Sequence, residues 1–316
     1  MKPGFLICFL FISLITYSQK IEKFYNYRWE PVAPNEARFY SLITKTDSGW
    51  YRLDYYIHER SLQMKGLFED SACTIRSGYF YFFHPNHSPS AFGRYLNGKK
   101  EGTWYAFFDN GLVQDSAFYR EGSLTGTHLK WYANGYTADS AVYNADGSGV
   151  EISWFDNGNP SSAGRYGEGY KQQGTWQYFH KNGKISAQEK YDHGKLLSRK
   201  YFDERGIEKM DTASLDREAE FRGGQSAWVK FLGKKLYFPG QYTFINGDQA
   251  VVVVSGEINE DGKMGNVKVT TSLAPAFDRI ALKTVQSSPD WIPAIDHNRK
   301  VKYYFSQPVL FSMPPN

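Results

Sequence analysis

Two regimes of hydrophobic patterning follow one another along the chain. From residue 45 to residue 206, short runs alternate apolar and polar positions, as in Ala117-Phe118-Tyr119 and Ala187-Gln188-Glu189-Lys190-Tyr191, and glycine-containing turn signals bound each run. Alternation of period two between turns predicts short half-buried strands. The segment Gly102-Thr103-Trp104-Tyr105-Ala106-Phe107-Phe108-Asp109-Asn110-Gly111 recurs as Gly174-Thr175-Trp176-Gln177-Tyr178-Phe179-His180-Lys181-Asn182-Gly183, with weaker copies opening at Gly78, Gly126 and Gly149. The steps between these glycines are 24, 24, 23 and 25 residues. A more degenerate copy opens at Gly49-Trp50-Tyr51, and another fades through Tyr201-Phe202.

Each copy has two turn signals. Asn110-Gly111, Asn134-Gly135, Asn157-Gly158 and Asn182-Gly183 follow the Trp/Phe segment, and Asn97-Gly98, Glu121-Gly122, Asp146-Gly147 and His193-Gly194 follow the second strand. Asn-Gly and Asp-Gly suit type I′ turns, whose two central residues both need positive φ. One repeat is therefore one two-stranded unit, and stacked units predict a long antiparallel hairpin meander whose neighbours bury each other's aromatics. Gly102, Trp104, Asn110, Gly111, Gly174, Trp176, Asn182 and Gly183 are read as turn and structural residues of this array. Its rings serve either as the core of a thin sheet or as a ligand-stacking surface.

The second regime begins after a charged stretch at 207–218 that lacks aromatics. Trp228, Phe231, Leu232 and Leu236 recur at helical spacing, ended by Phe238-Pro239. The β-branched run Ala250 to Ile258 turns at Asp261-Gly262 into Val267-Lys268-Val269-Thr270. Pro275 suits the first turn of a helix with Phe277, Ile280, Ala281 and Val285 on one stripe. After Trp291-Ile292-Pro293-Ala294, a last strand alternates Val301, Tyr303 and Phe305 against Lys302, Tyr304 and Ser306. Helix, hairpin, helix and strand make a small α+β domain over 219–316.

Composition adds little to this division, except that aromatics reach 17%, as flat rings on pleated surface favour. A net charge of +4 excludes a nucleic-acid footprint and leaves peripheral contact with an anionic membrane surface open. At the N-terminus, Lys2, the apolar run Phe5 to Ile15 and Thr16-Tyr17-Ser18 have the form of a secretory signal cleaved after residue 18. Residues 19–44 would then lead into the array. Cleavage leaves Cys73 as the one thiol, which excludes an internal disulfide framework. An uncleaved anchor is the other reading.

The repeat core G-x-W-x-x-[FY]-x-x-N-G resembles the bacterial variant of the MORN-repeat family across 45–206, although Gly126-Thr127-His128 and Gly149-Val150-Glu151 lack the Trp. The resemblance implies a structural or binding scaffold. Residues 219–312 resemble the TonB C-terminal domain, through Glu220-Phe221-Arg222-Gly223-Gly224, Asp261-Gly262, Phe277-Asp278, Trp291 to Ala294 and Pro308-Val309-Leu310-Phe311. Relatives often carry Pro where Arg222 stands. That resemblance implies strand addition, in which an extended peptide from an outer-membrane receptor pairs with an exposed strand. The expected edge is Val301, Lys302, Tyr303, Tyr304, Phe305 and Ser306; it is otherwise an ordinary paired strand, or an edge protected by Lys300 and Lys302.

No catalytic constellation accompanies these modules. His84-Pro85-Asn86-His87 has no Cys or carboxylate set to complete a zinc site, and no nucleophile or phosphate-loop motif occurs. Glu257 and Asp261 flank a hairpin turn and are expected to be solvated. No enzyme activity, metal or cofactor is expected. The leading reading is an exported periplasmic or envelope binder with a protein partner. A membrane-anchored TonB-type transport component and a purely structural repeat protein are the alternatives. The last strand could also pair with its own copy, giving a homodimer.

Overall fold

The computed structural model describes residues 19–211, 213–242 and 250–312; the expected export signal over 1–18 lies outside them. Among these residues one antiparallel sheet runs in strict sequence order through sixteen strands. The first eight are β1 (Lys20–Tyr25), β2 (Phe39–Thr46), β3 (Gly49–Tyr56), β4 (Ser61–Phe68), β5 (Arg76–Phe83), β6 (Pro89–Leu96), β7 (Lys99–Phe107) and β8 (Val113–Arg120). The second eight are β9 (Ser123–Trp131), β10 (Thr137–Tyr143), β11 (Gly149–Trp154), β12 (Pro160–Gly167), β13 (Lys171–Phe179), β14 (Ile185–Asp192), β15 (Lys195–Phe202) and β16 (Glu208–Lys209). Each copy of the repeat is one hairpin, so the period advances the sheet by about 9.5 Å, two strand spacings. The sheet extends past the repeat at both ends: β1 and most of β2 come from the lead-in, and β16 from the charged stretch at 207–218.

The repeat glycines that lie within strands have two distinct duties. Gly102 and Gly174 lie within strands, at φ 72° and 70°, where the register with the preceding strand slips. They form β-bulges, not turns. The slip lets the next ring cross the neighbouring strand. A Cβ on Gly93 would sit 2.2 Å from Trp104, and one on Gly164 would sit 2.1 Å from Trp176. Each indole then donates its Nε1 proton to the residue after that glycine, Arg94 O at 3.1 Å and Arg165 O at 2.9 Å.

The two turn series also differ. Asn97-Gly98, Glu121-Gly122 and His193-Gly194 have positive φ at both residues, as type I′ turns require. At Asn110-Gly111, Asn134-Gly135, Asn157-Gly158, Asn182-Gly183 and Asp146-Gly147 only the glycine does. There the glycine N–H bonds three residues back, Gly111 to Phe108 O at 2.9 Å and Gly183 to His180 O at 2.8 Å. These are type I turns closed by a left-handed glycine. Because the Asn stays right-handed, its side chain is free to act. Asn182 Oδ1 accepts from Lys184 N at 3.0 Å, and its Nδ2 donates to Glu204 O in the next hairpin at 2.8 Å. Asn134 and Asn157 donate likewise to Asp156 O and Lys181 O.

Where the indole is missing, the core changes character. One aromatic cluster runs from Ile43 and Trp50 through Phe80 to Trp104, and another gathers Trp176, Tyr178, Tyr191 and Tyr201. Between them His128 and Glu151 occupy the Trp positions. His128 Nε2 lies 3.1 Å from Asp115 Oδ2, and Glu151 accepts from Tyr143 and Tyr166 at 2.9 and 3.2 Å.

The C-terminal module contains α1 (Gly224–Lys235), β17 (Ala250–Ile258), β18 (Met264–Thr271), α2 (Pro275–Gln286), the hairpin β19 (Ala294–Asp296) and β20 (Arg299–Val301), and β21 (Tyr303–Phe311). Its core joins Trp228 and Leu232 of α1 and Phe277, Ala281 and Val285 of α2 to Val252, Val254, Val309 and Phe311 of the sheet. The helices thus cover one face of a three-stranded sheet of order β18-β17-β21. Isolated bridges from Arg217 to Ile295 and from Glu220 to Ile292 start the module near residue 217. The β19–β20 hairpin was not anticipated, and Val301 belongs to it, opposite Ala294, not to the last strand. Among the described residues no helix is long and apolar enough to cross a membrane.

Candidate strand-docking edge and cleft

β21 pairs with β17 over an unbroken register, Tyr303 opposite Ile258 through Phe311 opposite Ala250, and has no second ladder partner among the described residues. Pro308 sets the direction of its main-chain groups. Proline has no N–H, so in a regular edge strand its nitrogen faces away from the ladder. Residues of the same parity share that direction. Tyr304, Ser306 and Leu310 therefore aim N–H and C=O at the free edge, while Phe305, Gln307 and Val309 bond to β17.

The edge is usable over only part of its length. The Pro308 carbonyl accepts Gln307 Nε2 at 2.7 Å, and Gln307 Oε1 in turn accepts Trp228 Nε1 at 3.0 Å. Pro308 thus offers no donor, and its carbonyl already accepts one side-chain bond. Ahead of it, Tyr304 and Ser306 keep both, and no other described segment bonds to those groups. Of the six expected edge residues, Tyr303 to Ser306 lie on β21, Val301 lies in β20, and Lys302 links the two. Lys302 does not guard the edge. Its Nζ turns inward, 3.3 Å from both Asp156 and Glu257. Burial would lower the Lys302 pKa, but Glu257, Tyr304 and Asp156 outweigh it and the pKa is raised. Glu257 is consequently an interface residue and not a solvated one.

The uncovered face of the three-stranded sheet looks across at the repeat sheet, and between them lies a cleft of about 1590 Å³. Tyr304, Ser306, Ser255 and Lys268 line the module side; Lys100, Trp104, Tyr119 and Tyr132 line the other. Ion pairs tie the two walls along the row of Asn-Gly turns. Lys268 meets Asp109 at 2.5 Å, and Lys181 joins Asp156 at 2.9 Å to Glu260 at 3.1 Å.

Beyond the cleft the β19–β20 hairpin inserts its tip into the array. His297 and Asn298, both at positive φ, make the turn. The His297 ring stacks on Tyr178 at 3.6 Å and 8°, and Nδ1 lies 2.9 Å from Glu189. Asn298 Nδ2 donates to Ser186 O and Phe202 O at 2.9 and 2.8 Å. Arg299 is buried, donates to the carbonyls of Ser161 and Phe179, and lies over the rings of Phe155 and Tyr178. Two of the array's expected structural residues, Asn182 and Trp176, sit in the repeat that receives this tip.

The polar gap in the spine has a titration consequence. Burial, and then the Glu151 charge, push Asp139 up from 3.8 to about 6, and its Oδ1 is buried without a partner among the described residues. The native state therefore holds this proton more tightly than the unfolded chain. The stability it contributes is complete below pH 3.8 and is lost as pH rises through about 6. Asp139→Asn should stabilise the protein at pH 8 by on the order of 1–2 kcal/mol, discounted for partial exposure, and by nearly nothing at pH 4. Urea melts of both proteins across that range check it.

His84 Nε2 lies 2.9 Å from Phe107 O. Among the described residues no three His, Cys, Asp or Glu side chains converge as a metal set. Residues 244–313 match the family model described as the Gram-negative bacterial TonB protein C-terminal. The match begins after α1, although α1 is packed into the same core. The described fold is mostly β, a sixteen-stranded meander followed by a small α+β domain that contains the match. No curated protein is significantly similar to the chain.

Proposed function

We propose that the protein is an exported envelope binder whose TonB-like module takes up an extended segment of a protein partner along Tyr304–Ser306. The observation that carries this reading is the short pairing-competent stretch of β21, open at Tyr304 and Ser306 and ended by Pro308. Main-chain bonds to such an edge give affinity, and the side chains on alternate positions give selectivity. The repeat sheet acts as a MORN-like scaffold that holds the module by its hairpin and supplies the second wall of the cleft.

Ser306→Pro tests it. The substitution removes an outward N–H and no bond to β17, so the fold should survive, as it does with Pro308. In intact cells a photo-crosslinking residue at Tyr304 should capture an envelope protein, and Ser306→Pro should abolish capture without changing the melting temperature. Capture that persists in a folded Ser306→Pro protein would sink the proposal. The depth of the hairpin insertion also favours a second reading, in which the module only caps the repeat sheet; absence of any capture at Tyr304 selects it.

A further inference from the structure

The cations that line the cleft fall into two kinds. Lys268 and Lys302 are matched by Asp109, Asp156 and Glu257. Lys100 and Lys130, on the repeat wall, have no carboxylate within ion-pair distance among the described residues. Asp115, the acid whose charge acts on Lys100, is engaged by His128. Lys100 is also held in place. Its Nζ lies 4.6 Å from the centre of the Trp104 ring and 4.7 Å from that of Tyr119, so two rings fix the ammonium while leaving its N–H donors without an anion. Burial pushes the pKa of Lys100 down, Asp115 partly restores it, and Arg76 lowers it further. A partly desolvated cation of this kind gains from a carboxylate more than an exposed lysine does.

The opposite wall of the same cleft contains the open main-chain groups of Tyr304 and Ser306. A strand paired there has alternate side chains facing the way Tyr304 and Ser306 face, toward the repeat wall. The cleft volume of 1590 Å³ exceeds the roughly 300–1,000 Å³ usual for small ligands and suits an extended chain. We infer that the cleft selects an acidic peptide strand, with Lys100 receiving a carboxylate from one of the side chains that face the repeat sheet. This rests on the docking reading above and adds the chemistry of the partner: carboxylates at alternate positions of the strand.

Binding of labelled decapeptides to the full chain tests it, using one of alternating Thr and Glu and its Thr–Gln counterpart. The Thr–Glu peptide should bind about tenfold more tightly than the Thr–Gln peptide, the factor a charge-assisted hydrogen bond gives. Lys100→Gln should erase that preference, and Lys100→Arg should keep it. Equal binding of the two peptides, no binding of the Thr–Glu peptide, or a preference untouched by Lys100→Gln overturns the inference. The two readings fail separately. If both peptides bind equally and Ser306→Pro abolishes both, strand docking stands and the acidic preference falls. If Lys100→Gln erases the preference but Ser306→Pro changes nothing, the anion contact stands and edge pairing falls.

Discussion

Replacing Trp176 with alanine is expected to destabilise the repeat sheet by about 3–5 kcal/mol, the range for deleting a large buried ring. Trp176 is 2% exposed, meets Tyr166 edge-on at a ring separation of 5.0 Å and stacks on Tyr178 at 6.0 Å. Its loss leaves Arg165 O without the indole donor and opens a void against Gly164, a residue chosen for having no side chain there. Trp104→Ala should cost a similar amount, since the ring crosses Gly93 in the same way and donates to Arg94 O. The two variants should differ in what they take with them. Tyr178, next to Trp176, carries the His297 stack, so Trp176→Ala should also loosen the module, whereas Trp104 lies in the other aromatic cluster. Denaturant melts followed by tryptophan fluorescence read the first effect, and proteolysis of the 207–219 segment reads the second. Equal proteolysis in both variants would refute the link between Trp176 and the module.

The repeat was legible because its signals are local. Period-two alternation and glycine turns are written in neighbouring residues, and the strands fall where those signals place them. The type of turn was legible in only one of the two series. Asn-Gly is compatible with two positive φ values or with one, and in the second case the Asn side chain can reach the next hairpin, as when Asn182 reaches Glu204 O. Such contacts join residues 22 apart and leave no local mark. Gly93 and Gly164 illustrate the same point, since their requirement comes from a ring in the next strand.

The module's outline was legible for the same reason, and its inserted hairpin was missed. His297-Asn298 was a readable I′ turn, because Asn tolerates positive φ, yet no glycine marks it. Tyr303 to Ser306 lie on the last strand, as their alternation suggested, but Pro308 and Gln307 became meaningful only once the register to β17 was known. The cleft was illegible altogether. It is built from Lys100 and Trp104 on one wall and Tyr304 and Ser306 on the other, and no sequence pattern couples positions two hundred residues apart.

Arg299→Ala is expected to release the module from the repeat sheet. Arg299 is the buried member of the inserted tip, and burial pushes its pKa down, so the charge is tolerated there only through its partners. Those are the carbonyls of Ser161 and Phe179 and the rings of Phe155 and Tyr178. Hydrogen bonds to a charged group contribute about 1.5–3 kcal/mol and a desolvated cation–π contact about 1–2 kcal/mol, while removing the guanidinium also removes its own desolvation cost. A net loss of about 3 kcal/mol shifts the docking equilibrium roughly a hundredfold. Both domains should keep their own cores, because His297, Asn298 and Arg299 are not part of the module's core cluster. The expected signature is therefore faster cleavage within 207–219 and a larger radius of gyration, with far-ultraviolet circular dichroism unchanged. Since the cleft exists only while the two sheets face each other, the same variant should lose any preference for the Thr–Glu peptide while its β21 edge stays intact. If proteolysis and radius match the wild type, the ion pairs at Asp109 and Asp156 hold the module by themselves, and the hairpin is not its anchor.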